Sequence, residues 1–341
     1  MVKFRIPAEL KRSMAPIKAQ LRKSRTLYTT LAIPKKSTRT PVALVKAGIK
    51  KNWTLYVLLG PALFIYILFF IYPVINGLSF GFYRYSGVSQ VKYFIGFKNY
   101  VDIATDPQFQ LALYNTVTIT AANSVAQFLL GFSLAWLARK YGRVGNVFLS
   151  VALIPIVLSF VSVGLMWQWI YNAQYGLLNS LIAFFRINSA LNFLSLPTIP
   201  TSLTSTAPLL AILLAANWQG IGLYAVIYSA GLRAISPSIY DSMRVDGLSD
   251  TQKIRRVIWP MMKDTIALAL VLVMSSSFKI FDLVWVLTGG GPGRLSDVIS
   301  TYLYRYVGSF QAGYASAVAF YILLIGVALI ILQSRFIRTE K

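Results

Sequence analysis

The side chains able to do chemistry here are few, and their types narrow the options quickly. There is no histidine and no cysteine among the 341 residues, which excludes zinc chemistry, histidine bases, thiolate nucleophiles and disulfides. Polar side chains instead sit inside long apolar stretches: Asn217, Gln219 and Tyr224 in one, and Ser276, Ser277, Lys279 and Asp282 in another. Polar groups at membrane depth are costly unless they face a bundle interior or a wet cavity. Aromatic faces and amides would suit a polyhydroxylated solute such as a sugar, while small polar groups can equally serve as helix-to-helix hydrogen bonds. Lys279 and Asp282 are three apart, so one helix would place them on one face, as a neutralising pair or as a step in an ion path. The glycines at 289–293 lack a following Gly-Lys-Ser/Thr, so they are no phosphate cradle and are expected to end a helix and turn the chain. No clustered acids mark a catalytic or metal site, and none is assigned.

The elements that must position these groups follow from composition. Hydrophobic residues make up 56% and charged residues only 13%, against roughly 25% charged in ordinary soluble domains. Uncharged stretches run over 52–83, 108–138, 144–185, 187–232 and 306–334, each longer than the roughly 20 residues that cross a bilayer as a helix. Spans are expected at 53–75, 111–138, 147–170, 209–232, 266–287 and 315–332, with a further partly inserted segment possible at 177–193. With the first residues inside, 26 of the 33 Lys and Arg fall on the inner side, as the positive-inside rule requires. Both termini are therefore expected in the cytoplasm.

The formal charge of +23 is concentrated in the first 52 residues, which hold fourteen Lys and Arg and the single acid Glu9. Residues 1–52 read as a solvated cytoplasmic tail or as a segment adsorbed to anionic lipid; nucleic acid is the poorest partner. The first long apolar run begins only at Trp53, so no cleaved signal peptide is expected. Residues 53–335 form the membrane domain and 336–341 a short cytoplasmic tail.

Between the fourth and fifth spans lies the longest expected cytoplasmic loop, 233–263. Ser236 can cap a helix with Pro237 in its first turn, Asp241 suits the positive end of the dipole, and Gly247 can close the helix in a left-handed conformation. Ser249 and Gln252 have capping-box spacing and open a second short helix that Pro260 should stop. Tyr240, Met243, Leu248 and Ile254 need apolar cover, either from a partner or from the ends of the chain's own spans.

This loop resembles the coupling loop of binding-protein-dependent ABC importer permeases. Asp241, Ser242 and Met243 stand at the Glu-Ala-Ala places, Asp246 and Gly247 at the Asp-Gly pair, and Val257, Trp259 and Pro260 at its Ile-x-Leu-Pro end, with the acid shortened and both alanines replaced. GFKNYVDIATDPQFQLALYNT at 96–116, WQWIYNAQYGLLN at 167–179 and FDLVWVLTGGGPG at 281–293 resemble the carbohydrate-uptake branch, which includes the maltose and glycerol-3-phosphate permeases.

The resemblance implies an all-α, polytopic membrane protein of about six transmembrane helices with the type I importer permease fold, in a bacterial plasma membrane. Its implied partners are a second, homologous permease in a heterodimer, two ATPase subunits that would bind ATP and Mg, and an extracytoplasmic solute-binding protein delivering a sugar. This chain would hydrolyse nothing and hold no cofactor. Coupling to the ATPase would fall to Tyr240, Asp241, Met243, Asp246, Gly247, Leu248, Ile254 and Pro260. The substrate pathway would run past Ser159, Asn217, Gln219, Gly220, Tyr224, Ser276, Ser277 and Lys279. A secondary transporter or channel independent of an ATPase is the rival reading, although no internal repeat is visible.

Overall fold

The computed structural model describes residues 53–172, 174–184 and 206–338; the basic tail and the stretch 185–193 lie outside them. The chain divides into two compact units, Met1–Tyr72 and Pro73–Lys341. In the first, α1 (Trp53–Tyr66) is uncharged, contains Pro61 and passes into a π-helical turn, Ile67–Ile71, along which Tyr66 and Phe70 stack.

The second unit follows α2 (Tyr72–Ser79) with a minimal hairpin, β1 (Tyr83–Arg84) against β2 (Tyr93–Phe94), and the short α3 (Lys98–Thr105). The long α4 (Pro107–Tyr141) comes next, then α5 (Arg143–Leu153), α6 (Phe160–Ile170), α7 (Leu177–Phe184) and α8 (Thr206–Ala234). The loop region holds α9 (Pro237–Val245), α10 (Asp250–Lys253) and α11 (Trp259–Met261). The chain ends with α12 (Lys263–Phe278), α13 (Asp282–Leu287), α14 (Ile299–Gly308) and α15 (Ala312–Arg338). Among the described residues four helical runs are long and apolar enough to cross a membrane, or up to six if each bent pair is one span.

The 35 residues of α4 form the centre of the second unit. Asp106 caps it by accepting from the Gln108 amide at 2.8 Å, Pro107 occupies its first turn, and Arg139 and Lys140 complement the dipole before Gly142 ends it. At 1.5 Å per residue it is about 52 Å long, so it reaches past a bilayer's hydrocarbon. Its buried face carries Asn115, Thr116, Thr120, Asn123, Ser124, Gln127 and Gly131, while Val117, Val125, Leu129 and Leu130 are exposed. Phe109, Ala112, Ile119, Phe132, Ala135 and Ala138 share the buried side, and the small and polar residues among them suit helix-to-helix contacts within a bilayer.

Two expected spans are broken. The third is interrupted by a 3₁₀ turn, Ile154–Val157, and its two parts meet at 103°. Pro155 lacks the amide hydrogen that an unbroken helix needs, and Ser159 caps the second part by accepting from Ser162 N at 3.1 Å. The fifth is not one helix over 266–287: α12 ends at Phe278, and Lys279 to Phe281 separate it from α13. Lys279 and Asp282 consequently do not share a helical face, and no described ion pair joins them.

Gly289, Gly290 and Gly293 all have positive φ just after α13 and turn the chain as expected. Behind that turn the carboxylate of Asp297, only 1% exposed, receives Arg294 at 2.9 Å, Arg305 at 3.3 Å and Thr301 Oγ1 at 3.0 Å. Asn115 of α4 donates to the carbonyls of Leu295 and Asp297, tying the turn to the central helix. Removing a buried carboxylate leaves its cations and donors uncompensated. Asp297→Ala is therefore expected to destabilise the protein by about 3 kcal/mol, read as a lowered unfolding midpoint in detergent, whereas Asp241→Ala, in an exposed pair with Arg244, should leave the midpoint within error.

Candidate functional site

Between the packed cluster around Leu283 and Ala215 and the cluster around Tyr228 and Met262 lies a cavity of about 400 Å³. It is bounded by α4, α8, the break after α5 and the break after α12. Six of the residues expected on the substrate pathway line it: Gln219, Gly220, Tyr224, Ser276, Ser277 and Lys279. Two do not. Asn217 is buried and donates to the Leu213 carbonyl of its own helix at 2.8 Å. Ser159 is occupied as the α6 cap, although the next residue, Phe160, is part of the wall.

The structure adds Asn123, Gln127, Ile156 and Asp282 to the lining. Asn123 Nδ2 donates to Ser277 Oγ at 2.7 Å, and Gln127 Nε2 reaches the Ala216 and Asn217 carbonyls at 3.3 Å each. Gly220 owes its place to this contact. A Cβ there would lie 2.6 Å from Gln127 Nε2, so a larger residue would make the end of that side chain shift. Gln219 Nε2 donates at 2.8 Å to the carbonyl of Leu158, at the break between the two halves of the third span. The side-chain oxygens of Asn123, Gln127 and Gln219 have no hydrogen-bond partner, a state that costs about 1–3 kcal/mol per buried group.

Asn123 and Gln127 were legible in the sequence as members of a row, Thr116, Thr120, Asn123, Ser124, Gln127 and Gly131, spaced by three and four. That row marks a polar helix face as clearly as an apolar one would.

At one end of the bundle the segment 235–262 folds as two short helices at a bend. Gly247, at φ +65°, closes α9 in a Schellman arrangement, with Leu248 N donating to Met243 O at 3.2 Å and Gly247 N to Arg244 O at 3.1 Å. The Ser249–Gln252 capping box is present. Three expectations change. The Ser236 hydroxyl bonds Ser238 at 2.8 Å rather than capping α9, and Asp241 lies beyond the first turn, paired with Arg244 at 3.3 Å. Pro260 does not stop the second helix. A π-helical turn, Ile254–Ile258, widens the backbone ahead of it, and the helix continues to Met261, because a wider turn spares the carbonyl that the proline ring would strike.

Of the two covers possible for the loop's apolar residues, the structure has the chain's own spans. Met243 is buried with Leu232, Ile235, Ile258 and Met262, and Tyr240, Leu248 and Ile254 pack on that cluster half-buried. Arg139, at the end of α4, stacks on the Tyr240 ring at 3.5 Å, and the Tyr240 hydroxyl donates to Leu232 O at 3.0 Å. Lys140 hydrogen-bonds Asp250 at 2.8 Å and so holds its carboxyl below the usual carboxylate value. Left outward are Asp241, Val245, Asp246, Gly247 and Pro260, with Val245 88% exposed. Val245 thus stands as an exposed apolar side chain beside the turn that closes α9. Its signal in the sequence was its position immediately before Asp246 and Gly247.

The chain resembles known proteins in sequence and in fold. Residues 127–340 match the family described as the binding-protein-dependent transport system inner membrane component. A probable ABC transporter permease, YurN of Bacillus subtilis, is 33% identical over 84% of this chain and 96% of its own length. The trehalose/maltose transport system permease MalF of Thermococcus litoralis is 26% identical over 82% of this chain and 92% of its own. A chain in the crystal structure of a bacterial ABC transporter involved in importing the acidic polysaccharide alginate superposes with a TM-score of 0.72, covering 87% of this chain and 99% of that one at 22% identity, which shows a shared fold. This chain is accordingly a multi-pass membrane permease belonging to the family of binding-protein-dependent transport system inner membrane components.

Proposed function

We propose that the protein translocates a sugar or oligosaccharide as one permease subunit of an ATP-driven importer in a bacterial plasma membrane. The observation that carries the solute class is the cavity itself: the hydroxyls of Tyr224 and Ser276 among the walls of Ile156, Phe160 and Leu223. Such a lining offers acceptors to hydroxyl groups and apolar faces to a sugar's C–H surface. The Thermococcus litoralis relative, a trehalose/maltose transport system permease, agrees with that chemistry.

In this reading a second, homologous permease completes the pathway and two ATPase subunits, binding ATP and Mg, dock on the cytoplasmic bend. An extracytoplasmic binding protein delivers the solute to the opposite face. Both termini lie in the cytoplasm, with residues 1–52 as a basic tail, 53–335 as the membrane domain containing the loop 233–263, and 336–341 as a short end. When the ATPases close they push on Val245, Asp246 and Gly247. The load passes through Met243 and Tyr240 into the ends of α8 and α4, because those side chains are packed on them. Tilting of these helices then opens the cavity to one side or the other.

Two outcomes test the two halves of this reading separately. Val245→Lys combined with Gly247→Pro should abolish co-purification of the ATPase while the chain still inserts and folds; unchanged association would remove the bend from the docking surface. Gly220→Ala should force Gln127 from its seat and lower ATP-dependent sugar uptake by tenfold or more with ATPase association intact. Uptake at the wild-type rate would mean that the cavity is not on the solute path.

A further inference from the structure

The bend is fastened to the last turn of α4, and at the other end of that helix, where α3 leads into it at Asp106, two further cavities adjoin. The larger, about 720 Å³, is an apolar groove between α2 and α15 with Val74, Leu78, Val307, Ala319 and Leu323 in its walls. Both helices belong to runs apolar enough to cross a membrane, so the groove stands at the depth of hydrocarbon. Val74, Val307 and Leu323 are exposed on it. The smaller cavity, about 480 Å³, is polar and carries Arg84, Lys98 and Asp102. The two share Ser86 and Phe310, so one molecule can lie across both. Phe310 stands at that junction with φ +55°, a conformation rare for a bulky residue.

Arg84 and Lys98 are exposed, and among the described residues the side chain of neither has an ion pair or a hydrogen bond. Their mutual placement is nevertheless fixed. Asn99, buried beside Lys98, donates to the carbonyls of Gly81 at 2.8 Å and Tyr83 at 3.1 Å, so α3 grips the strand that presents Arg84. The Gly313 amide donates to Tyr85 O at 2.9 Å and ties the same segment to α15. Lys98 also opens α3, the end at which a helix dipole disfavours a cation and favours an anion. Lys92 lies over the rings of Phe80 and Tyr85, at 4.3 and 4.8 Å from their centres, and adds a third positive charge beside the polar cavity. Asp102 is the one acid of that lining.

We propose that the two cavities form one binding site for an anionic glycerophospholipid, with its phosphate on Arg84 and Lys98 and an acyl chain along the groove between α2 and α15. A guanidinium presents paired donors that match phosphate oxygens, and cations beside a membrane attract lipids of net negative charge. A free phosphate ion uses the cations and leaves the apolar groove unfilled. An apolar helix fills the groove and leaves the cations unpaired. An anionic amphiphile satisfies both from one position. Tyr85 and Tyr314 line the polar cavity next to the groove, as amphipathic rings do at the level of lipid headgroups. A lipid seated there bridges α2 to α15.

The test places the full-length chain in phosphatidylcholine liposomes with a trace of phosphatidylglycerol that carries a diazirine in one acyl chain. After irradiation, labelled peptides are identified by mass spectrometry. Label should concentrate on the residues of α2 and α15 that face the groove, and excess unlabelled phosphatidylglycerol should displace it. Arg84→Gln with Lys98→Gln should lower that label by about tenfold or more, the effect of removing two cations from a membrane surface, with the unfolding midpoint unchanged. Arg84→Lys with Lys98→Arg, which keeps both charges, should retain most of it. Label spread evenly over the lipid-facing helices, or unaltered in the glutamine variant, would overturn the site. Displacement by inorganic phosphate would give the cations to a free ion and overturn the lipid. Loss of the label when the chain is reconstituted with a second permease would make the groove a protein interface, which overturns it equally.

Discussion

A helix broken inside a bilayer frees backbone groups that no lipid can satisfy, and the second unit depends on how that constraint is met at residue 158. Gln219 reaches across from α8 to the Leu158 carbonyl at 2.8 Å, and Ser159 supplies the cap for the helix that resumes. Those two contacts stand where the third span turns by 103°. The turn draws Phe160 and Ile156 to the cavity wall and makes room for a polar interior. The break after Phe278 does the same from the other side, and there Asn123 holds Ser277.

This constraint also explains which parts of the structure were legible beforehand. Uncharged stretches located the helices because charge is excluded from lipid whatever the packing, and the expected spans at 111–138 and 209–232 lie within α4 and α8. Hydropathy cannot detect a break, since Pro155, Leu158 and Ser159 are as uncharged as their neighbours. Only the proline and the cap residue four places later carried the information. The separation of Lys279 from Asp282 was hidden for the same reason: spacing of three implies a shared face only where the helix continues. On the central helix the informative pattern was polar rather than apolar, and a search for apolar periodicity passes over it.

At the bend, local signals were accurate where they concerned the backbone and poor where they concerned side-chain direction. Gly247 closes α9, and the capping box at Ser249 and Gln252 opens α10, because each depends on a few adjacent residues. Whether Met243 faces outward depends on Leu232, Ile258 and Met262, which come from other elements. A sequence gives their identities without their proximity. Once Met243 and Tyr240 are committed inward, the outward surface consists of polar groups together with the exposed Val245, Trp259 and Met261.

The inward commitment matters for transmission. A lever made of loosely attached apolar side chains would absorb displacement in rotamer changes, whereas close-packed interiors transmit strain. The cluster that buries Met243 contains Leu232 and Tyr228 on α8 and extends to Tyr224, whose ring is part of the cavity lining. Arg139 on Tyr240 and Lys140 on Asp250 fasten the same bend to α4, which supplies Asn123 and Gln127 higher up. The bend and the cavity are thus two ends of the same pair of helices. Packed side chains of one cluster run from the bend towards the cavity along both helices, Phe132 and Ala135 on α4 and Leu232 and Tyr228 on α8. Packed contact in both directions is what a subunit needs if energy released outside the membrane is to be felt by a solute within it.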